Sequence, residues 1–117
     1  MSYKFHPTEL FISEAKKLKK KYPNLSEDIK DLRDSLKEDP VTGHDSLGSN
    51  CYKVRIDLRD KPGGKSGGAR AIIQVYVQDK MVHFLSIYDK SNKDSLFEGE
   101  LDKILKKKIL AWEKKNK

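Results

Sequence analysis

The stretch PGGKSGGARAIIQVYV, from Pro62 to Val77, decides the fold, because its glycines around a Lys-Ser pair admit two readings. A phosphate-gripping loop requires Gly, four residues, then Gly-Lys-Ser/Thr, followed by a helix whose first amides hold the phosphates. Gly64-Lys65-Ser66 supplies the end of that motif, but the position five before Gly64 is Arg59. The residues that follow, ARAIIQVYV, are rich in β-branched and aromatic types and read as a strand. The glycines therefore make a turn between strands, and the nucleotide-binding reading falls.

Working outward, CYKVRIDLR (51–59) alternates strictly, with Tyr52, Val54, Ile56 and Leu58 on one side and Lys53, Arg55, Asp57 and Arg59 on the other. Such alternation puts one face against a core and leaves a largely cationic face outside. After ARAIIQVYV, the residues QDK (78–80) lead into a third strand, MVHFLSIYD (81–89). An antiparallel meander is the simplest arrangement of the three.

Upstream, SYKFH (2–6) suits a brief strand, and Pro7 with Thr8 offers a helix start. Phe11, Ala15, Leu18 and Tyr22 then recur at helical spacing, with Lys16, Lys17, Lys19, Lys20 and Lys21 mostly on other faces. That lysine run is read as a solvated face, with contact to nucleic acid or a partner protein as the sharper alternative. Ser26 is positioned to cap a second helix whose buried stripe is Ile29, Leu32 and Leu36, closed by Pro40 and Gly43. The short connection predicts a helical hairpin. HDSLGSN (44–50) reads as loop. Downstream of a further loop over 90–95, Leu101, Ile104, Leu105, Ile109 and Trp112 mark a lysine-rich C-terminal helix.

The 117 residues fit one domain, 1–117, able to build a core without disulfide or metal staples. Hydrophobic residues make up 36% and charged residues 37%, so a small core lies under a heavily solvated surface. The net charge of +7 is uneven: residues 61–117 carry 13 Lys/Arg against 7 Asp/Glu, whereas residues 1–60 carry 12 against 11. Such a surplus favours a polyanion or an acidic protein partner. The lone Cys51 excludes an internal disulfide framework and suits a reducing compartment. No apolar run suggests export or membrane spanning, so a cytoplasmic protein is expected, with no membrane partner.

Alternate residues of a strand lie roughly 6.6 Å apart on one face, so Lys53 and Arg55 present two cations in line, a spacing that suits successive phosphates. Arg can fork onto phosphate oxygens where Lys acts as a point charge. The plain alternative is a solvent-facing strand. Arg70, just after Gly67-Gly68-Ala69, begins the next strand, where the turn can bring it beside the first two. The three histidines, His6, His44 and His83, share no spacing that unites them and are read as structural. Asp57 and Asp60 form no metal set with them, and neither a metal nor a small-molecule cofactor is expected.

Taken in order, CYKVRIDL (51–58), GKSGGARAI (64–72) and LSIYDKSNKDSL (85–96), after a two-helix hairpin, resemble the RelE/HigB-like toxins of the RelE/ParE superfamily of bacterial type II toxin–antitoxin systems. The resemblance covers essentially the whole chain. It implies an α+β fold: a short N-terminal strand, a two-helix hairpin, a curved antiparallel sheet and a C-terminal helix. It also implies a metal-independent endoribonuclease that enters the ribosome, cuts mRNA there and is held in check by a cognate antitoxin.

Carried over residue by residue, the resemblance matches Lys53 and Arg55 to the family's basic pair and Arg70 to the arginine after the glycine turn. It gives Lys53 a share in proton transfer, since neighbouring positive charges lower a lysine's pKa. It gives Arg55 and Arg70 the stabilisation of the phosphate in the transition state. Lys90 occupies the place of a further family arginine, as proton donor or phosphate clamp, with an ordinary surface lysine as the alternative. Where the family pattern carries a tyrosine soon afterwards, this chain has Leu96. Tyr88 could replace it in stacking on RNA, although ordinary packing is the plainer role for a strand aromatic. Lys65 in the turn is a candidate RNA-backbone contact. Two other functional classes stay open on the same fold: a ParE-like inhibitor of DNA gyrase, and a non-catalytic nucleic-acid-binding or interaction module.

Overall fold

A computed structural model of the chain describes residues 2–61, 68–91 and 95–115. Five strands form one sheet in the order β1-β5-β4-β3-β2, with β1 Lys4–Pro7, β2 Asp45–Gly48, β3 Cys51–Ile56, β4 Ala69–Tyr76 and β5 Met81–Asp89. The expected meander is β3-β4-β5, antiparallel throughout. β1 lies parallel to β5 at one edge. α1 (Glu9–Lys21) and α2 (Leu25–Leu36) separate β1 from β2, and α3 (Glu100–Lys115) ends the chain.

The alternation of β3 sorts the sheet into two faces. Val54, Ile56, Ala71, Ile73, Val75, Val82, Phe84 and Ile87 join Phe11, Tyr22, Leu25, Leu32 and Leu36 of the two helices in the main core. Each large side chain removed from water there contributes about 1.5–3 kcal/mol, and the helical stripe that selects these positions is why α1 and α2 lie on this face. A smaller cluster, Cys51, Ile72, Leu85, Tyr88 and Ile104, fills the opposite face under the first half of α3, helped by Leu96, Leu101 and Leu105. The second half of α3 leaves Ile109 and Trp112 exposed, at 54% and 65%, so its apolar stripe is only half covered.

Two expectations are corrected. Ser26 does not cap α2: the cap position is Asn24, whose backbone amide and side-chain amide both donate to Asp60, at 2.8 and 2.9 Å. The helix starts two residues earlier than a Ser26 cap would place it, because Leu25, 1% exposed, is drawn into the core. HDSLGSN is not a loop throughout. Asp45–Gly48 is an edge strand paired with β3, and Ser49 and Asn50, at φ +54° and +61°, make the two-residue turn. Two consecutive positive φ values give the turn hand that suits the twist of a hairpin.

α1 begins as expected, with Thr8 as its cap and its side-chain oxygen accepting from the amide of Phe11. Past the end of β1, the edge of β5 is covered by α1: Glu14 accepts from the Ser86 hydroxyl at 2.6 Å and from the Ile87 amide at 3.3 Å. Among the described residues no helix is long and apolar enough to cross a membrane.

Candidate nucleic-acid interface

The second face of the sheet carries the cations because β3 alternates, and pairing register then decides which of them meet. Arg55 lies opposite Arg70, and Arg70 lies opposite Tyr88. These three residues form one line across β3, β4 and β5. Two pairs further along, the next on the same face, Lys53 lies opposite Ile72 and, on its other side, opposite Asp45. Directly opposed residues of an antiparallel pair hold their Cβ atoms about 4.5–5.5 Å apart, so the two guanidinium groups can reach one phosphodiester. Like charges placed opposite each other cost stability. An anion bound between them offsets that cost.

Gly68 sets this register. Its φ is +81°, and a Cβ there would lie 2.4 Å from the Ile56 carbonyl oxygen. Only glycine lets β4 start so close to the end of β3, and Arg70 follows two residues later. The Gly68 carbonyl also accepts from the Lys90 amide at 3.1 Å, which carries the β4–β5 pairing one step beyond β5. Lys90 thereby stands at the same end of the sheet as Arg55 and Arg70.

Exposure separates the candidates. Arg55 is exposed, Arg70 and Lys90 are half-buried, and Lys53 is half-buried with its ammonium 3.9 Å from Asp45. Arg70 donates from one guanidinium nitrogen to the Ala69 carbonyl at 3.1 Å. Tyr88 is 7% exposed and packs in the smaller cluster, so its ring is a wall beside Arg70 more than a free stacking platform. Leu96 packs against that same cluster. Lys65 lies outside the described residues.

Cys51 shares this face, but burial pushes its thiol up to about 11, against a smaller opposing pull from Lys108, so it stays protonated at neutral pH and is no nucleophile. Two of the histidines meet in space. His6 and His83 are partners in register, their rings 5.4 Å apart, with Tyr76 4.9 Å from His83 on the other side. Sequence spacing could not unite them because they meet through the parallel β1–β5 pairing. Burial, then the charges of Lys108 and His6, lower His83 to about 4, leaving it neutral. It sits opposite Gln74, roughly 13 Å along β4 from Arg70 at strand rise, and so outside the cationic line.

One residue at this end had no role in the sequence reading. Asp89, 1% exposed, accepts from the Tyr22 hydroxyl at 2.7 Å and from the amide and hydroxyl of Ser91 at 2.9 and 2.8 Å. Lys21 and Lys61 each place an ammonium 3.4 Å from it. Burial raises its pKa, but these hydrogen bonds and the Lys61 charge outweigh that and hold the carboxyl well below the usual range. The available signal was Asp-x-Ser at the end of an apolar strand, an Asx-turn pattern.

A family profile described as the RelE toxin of the RelE/RelB toxin–antitoxin system matches residues 4–116. Among solved structures, a doubly substituted E. coli toxin RelE in the free state is similar at 21% identity and TM-score 0.58, covering 95% of this chain and 98% of that one. The toxin–antitoxin complex RelBE of E. coli contains a chain similar at 25% identity and TM-score 0.56, covering 74% of this chain and 95% of that one. No curated protein matches the sequence.

Proposed function

Because the chain belongs to the RelE toxin family, we propose that it is the toxin of a type II toxin–antitoxin pair and that it inhibits translation by cutting mRNA in the ribosome. The observation that carries this reading is the register pairing of Arg55 with Arg70, with Lys53 two residues from Arg55 on the same face.

The chemistry fits a cationic site. A ribose 2′-hydroxyl attacks the adjacent phosphorus, its proton passing to a base. The P–O5′ bond breaks, a 2′,3′-cyclic phosphate forms, and the leaving 5′-oxygen takes a proton. The pentacovalent phosphate between these steps carries extra negative charge. Two guanidinium groups carried by directly paired strand positions can stabilise that charge with little reorganisation. Arg55 and Arg70 take this part, Lys53 shares in proton transfer, and Lys90 supplies the proton or clamps the neighbouring phosphate. Tyr88 holds Arg70 from the side. No metal or small-molecule cofactor enters the scheme.

The partner is a cognate antitoxin, as in the RelBE complex of E. coli. The exposed Ile109, Leu110 and Trp112 of α3 are apolar surface of the kind a protein partner covers. A protein acting on translating ribosomes works in the cytoplasm.

Induction of the chain in cells, followed by mapping of transcript ends, tests the reading. Breaks phased with codons inside translated regions are expected. Double-strand DNA damage with intact transcripts would instead identify a gyrase inhibitor, and neither effect would leave a binding module.

A further inference from the structure

Asp89 and its neighbours in the chain serve opposite faces of the sheet. Strand alternation puts its carboxylate on the α1 side of the sheet, while Tyr88 before it lies in line with Arg70 and Arg55. Its own backbone pairs with Ala69, the residue before Arg70. Three separate pieces of chain converge on the carboxylate: the C-terminal end of α1 through Lys21 and Tyr22, the segment after β3 through Lys61, and the turn after β5 through Ser91.

The two oxygens divide the task. Oδ2 takes the helix end, from Tyr22 and Lys21, and Oδ1 takes Lys61 and both groups of Ser91. A neutral amide has one acceptor oxygen only, so an asparagine could serve one set and would face the other with N–H donors. The buried ionised carboxylate is thus specifically matched to its surroundings, and the path of the backbone from Tyr88 through Lys90 to Ser91 depends on it.

We propose that Asp89 is a positioning residue for RNA cleavage: from the buried side of the sheet it fixes where Tyr88 and Lys90 stand relative to Arg70. The catalytic half of this inference rests on the nuclease reading; the geometric half does not. Displacing a reacting group by about 1 Å can cost on the order of 10²-fold in rate, so a defect in position is visible in turnover before it is visible in binding.

The test compares Asp89→Asn with Asp28→Asn. Asp28 is a second buried carboxylate, 3% exposed, carried by α2 and bonded to Arg59 at 2.6 Å, so it controls for loss of stability alone. Two quantities are read: mRNA cleavage on programmed ribosomes, and amide hydrogen exchange of the folded protein. Asp89→Asn is expected to lower kcat on the order of 10²-fold, with the half-saturating ribosome concentration unchanged. The amides of Lys90 and Ser91 should exchange about tenfold faster while those of β3 keep their rates. Asp28→Asn should leave both readouts within about twofold of wild type once measured on folded protein.

Unchanged exchange at Lys90 and Ser91, or equal kcat losses in the two variants, overturns the positioning role. If Asp89→Asn does not fold, Tyr22→Phe, which deletes the 2.7 Å bond to Asp89 and the hydroxyl's contact with Lys21, must show both changes at smaller size, and their absence overturns it equally. A wild-type chain that does not cut mRNA removes the nuclease reading, and exchange then decides the geometric role of Asp89 by itself.

Discussion

Arg55 and Arg70 stand directly opposite each other across β3 and β4, with Tyr88 beyond Arg70 in the same line. Both arginines project a guanidinium from the same face of the sheet, where a bound phosphate would draw on each. Arg70→Ala should therefore lower ribosome-dependent mRNA cleavage by about 10²–10³-fold, the usual loss when one transition-state donor is removed. Its thermal midpoint should stay close to that of wild type. Cleavage within about twofold of wild type in a folded Arg70→Ala protein would exclude the arginine from catalysis.

Lys53 and Asp45 lie 3.9 Å apart at the edge of the sheet, with Asp45 76% exposed at its side chain. A contact this open contributes at most about 1 kcal/mol. Asp45→Asn should unfold in urea within about 0.5 kcal/mol of wild type and cut mRNA at least as fast. Lys53→Gln should be equally stable and much slower. Equal activity of the Lys53→Gln protein would show that the pair matters only for solubility.

Gly68 approaches Ile56 too closely for any side chain. Alanine at a positive φ costs about 1–2 kcal/mol, and relief of the clash with the Ile56 carbonyl must part β3 from β4. Gly68→Ala should lower stability by at least about 2 kcal/mol in urea denaturation and reduce cleavage together with it. A stable Gly68→Ala protein with full activity would show that the close approach is dispensable.

Arg59 joins the chain after β3 to α2, donating to Asp28 at 2.6 Å and to Asp31 at 2.5 Å. Asp28 is buried, and removing its cation leaves a charge without its partner in low dielectric. Arg59→Ala should lower the thermal midpoint by several degrees, whereas Arg33→Ala, on the exposed side of α2, should not. Cleavage per folded molecule should be unchanged in both, as measured on ribosomes after active-site titration.

Stability should fall in two steps as the medium is acidified. His83, held neutral with its pKa lowered to about 4, binds its proton in the unfolded chain first, so stability declines from about pH 6.5 down to pH 4. With the ring in partial contact with water, this amounts to about 1 kcal/mol. Asp89, whose folded pKa is depressed, contributes stability that is complete above its unfolded value near 3.8 and is lost as the pH falls through the folded one. His83→Gln should shrink the upper window, leaving the part due to His44, whose pKa burial also lowers, and should leave the lower one. Denaturation midpoints from about pH 7 down to about pH 2 follow the upper window whole and the lower one from its onset.

Much of this protein is local in origin. The period of two in CYKVRIDLR separates Val54 and Ile56 from Lys53 and Arg55, and the helical spacing of Phe11, Leu18 and Tyr22 assigns α1 its buried side. Both patterns arise from backbone geometry within a few residues, which is why the order of elements and the cationic character of one face follow from the amino-acid order alone. Folding of the whole chain decided what such spacing cannot contain. The parallel contact of β1 with β5 brings His6 to His83, and the register across β3 and β4 sets Arg55 against Arg70 and not against a neighbour two residues away. Asp89 receives its ligands from positions as distant as Tyr22 and Lys61. Strand partners and the neighbours of a buried charge are chosen by the closest packing of remote segments, and a one-residue slip would reverse every side chain on a strand.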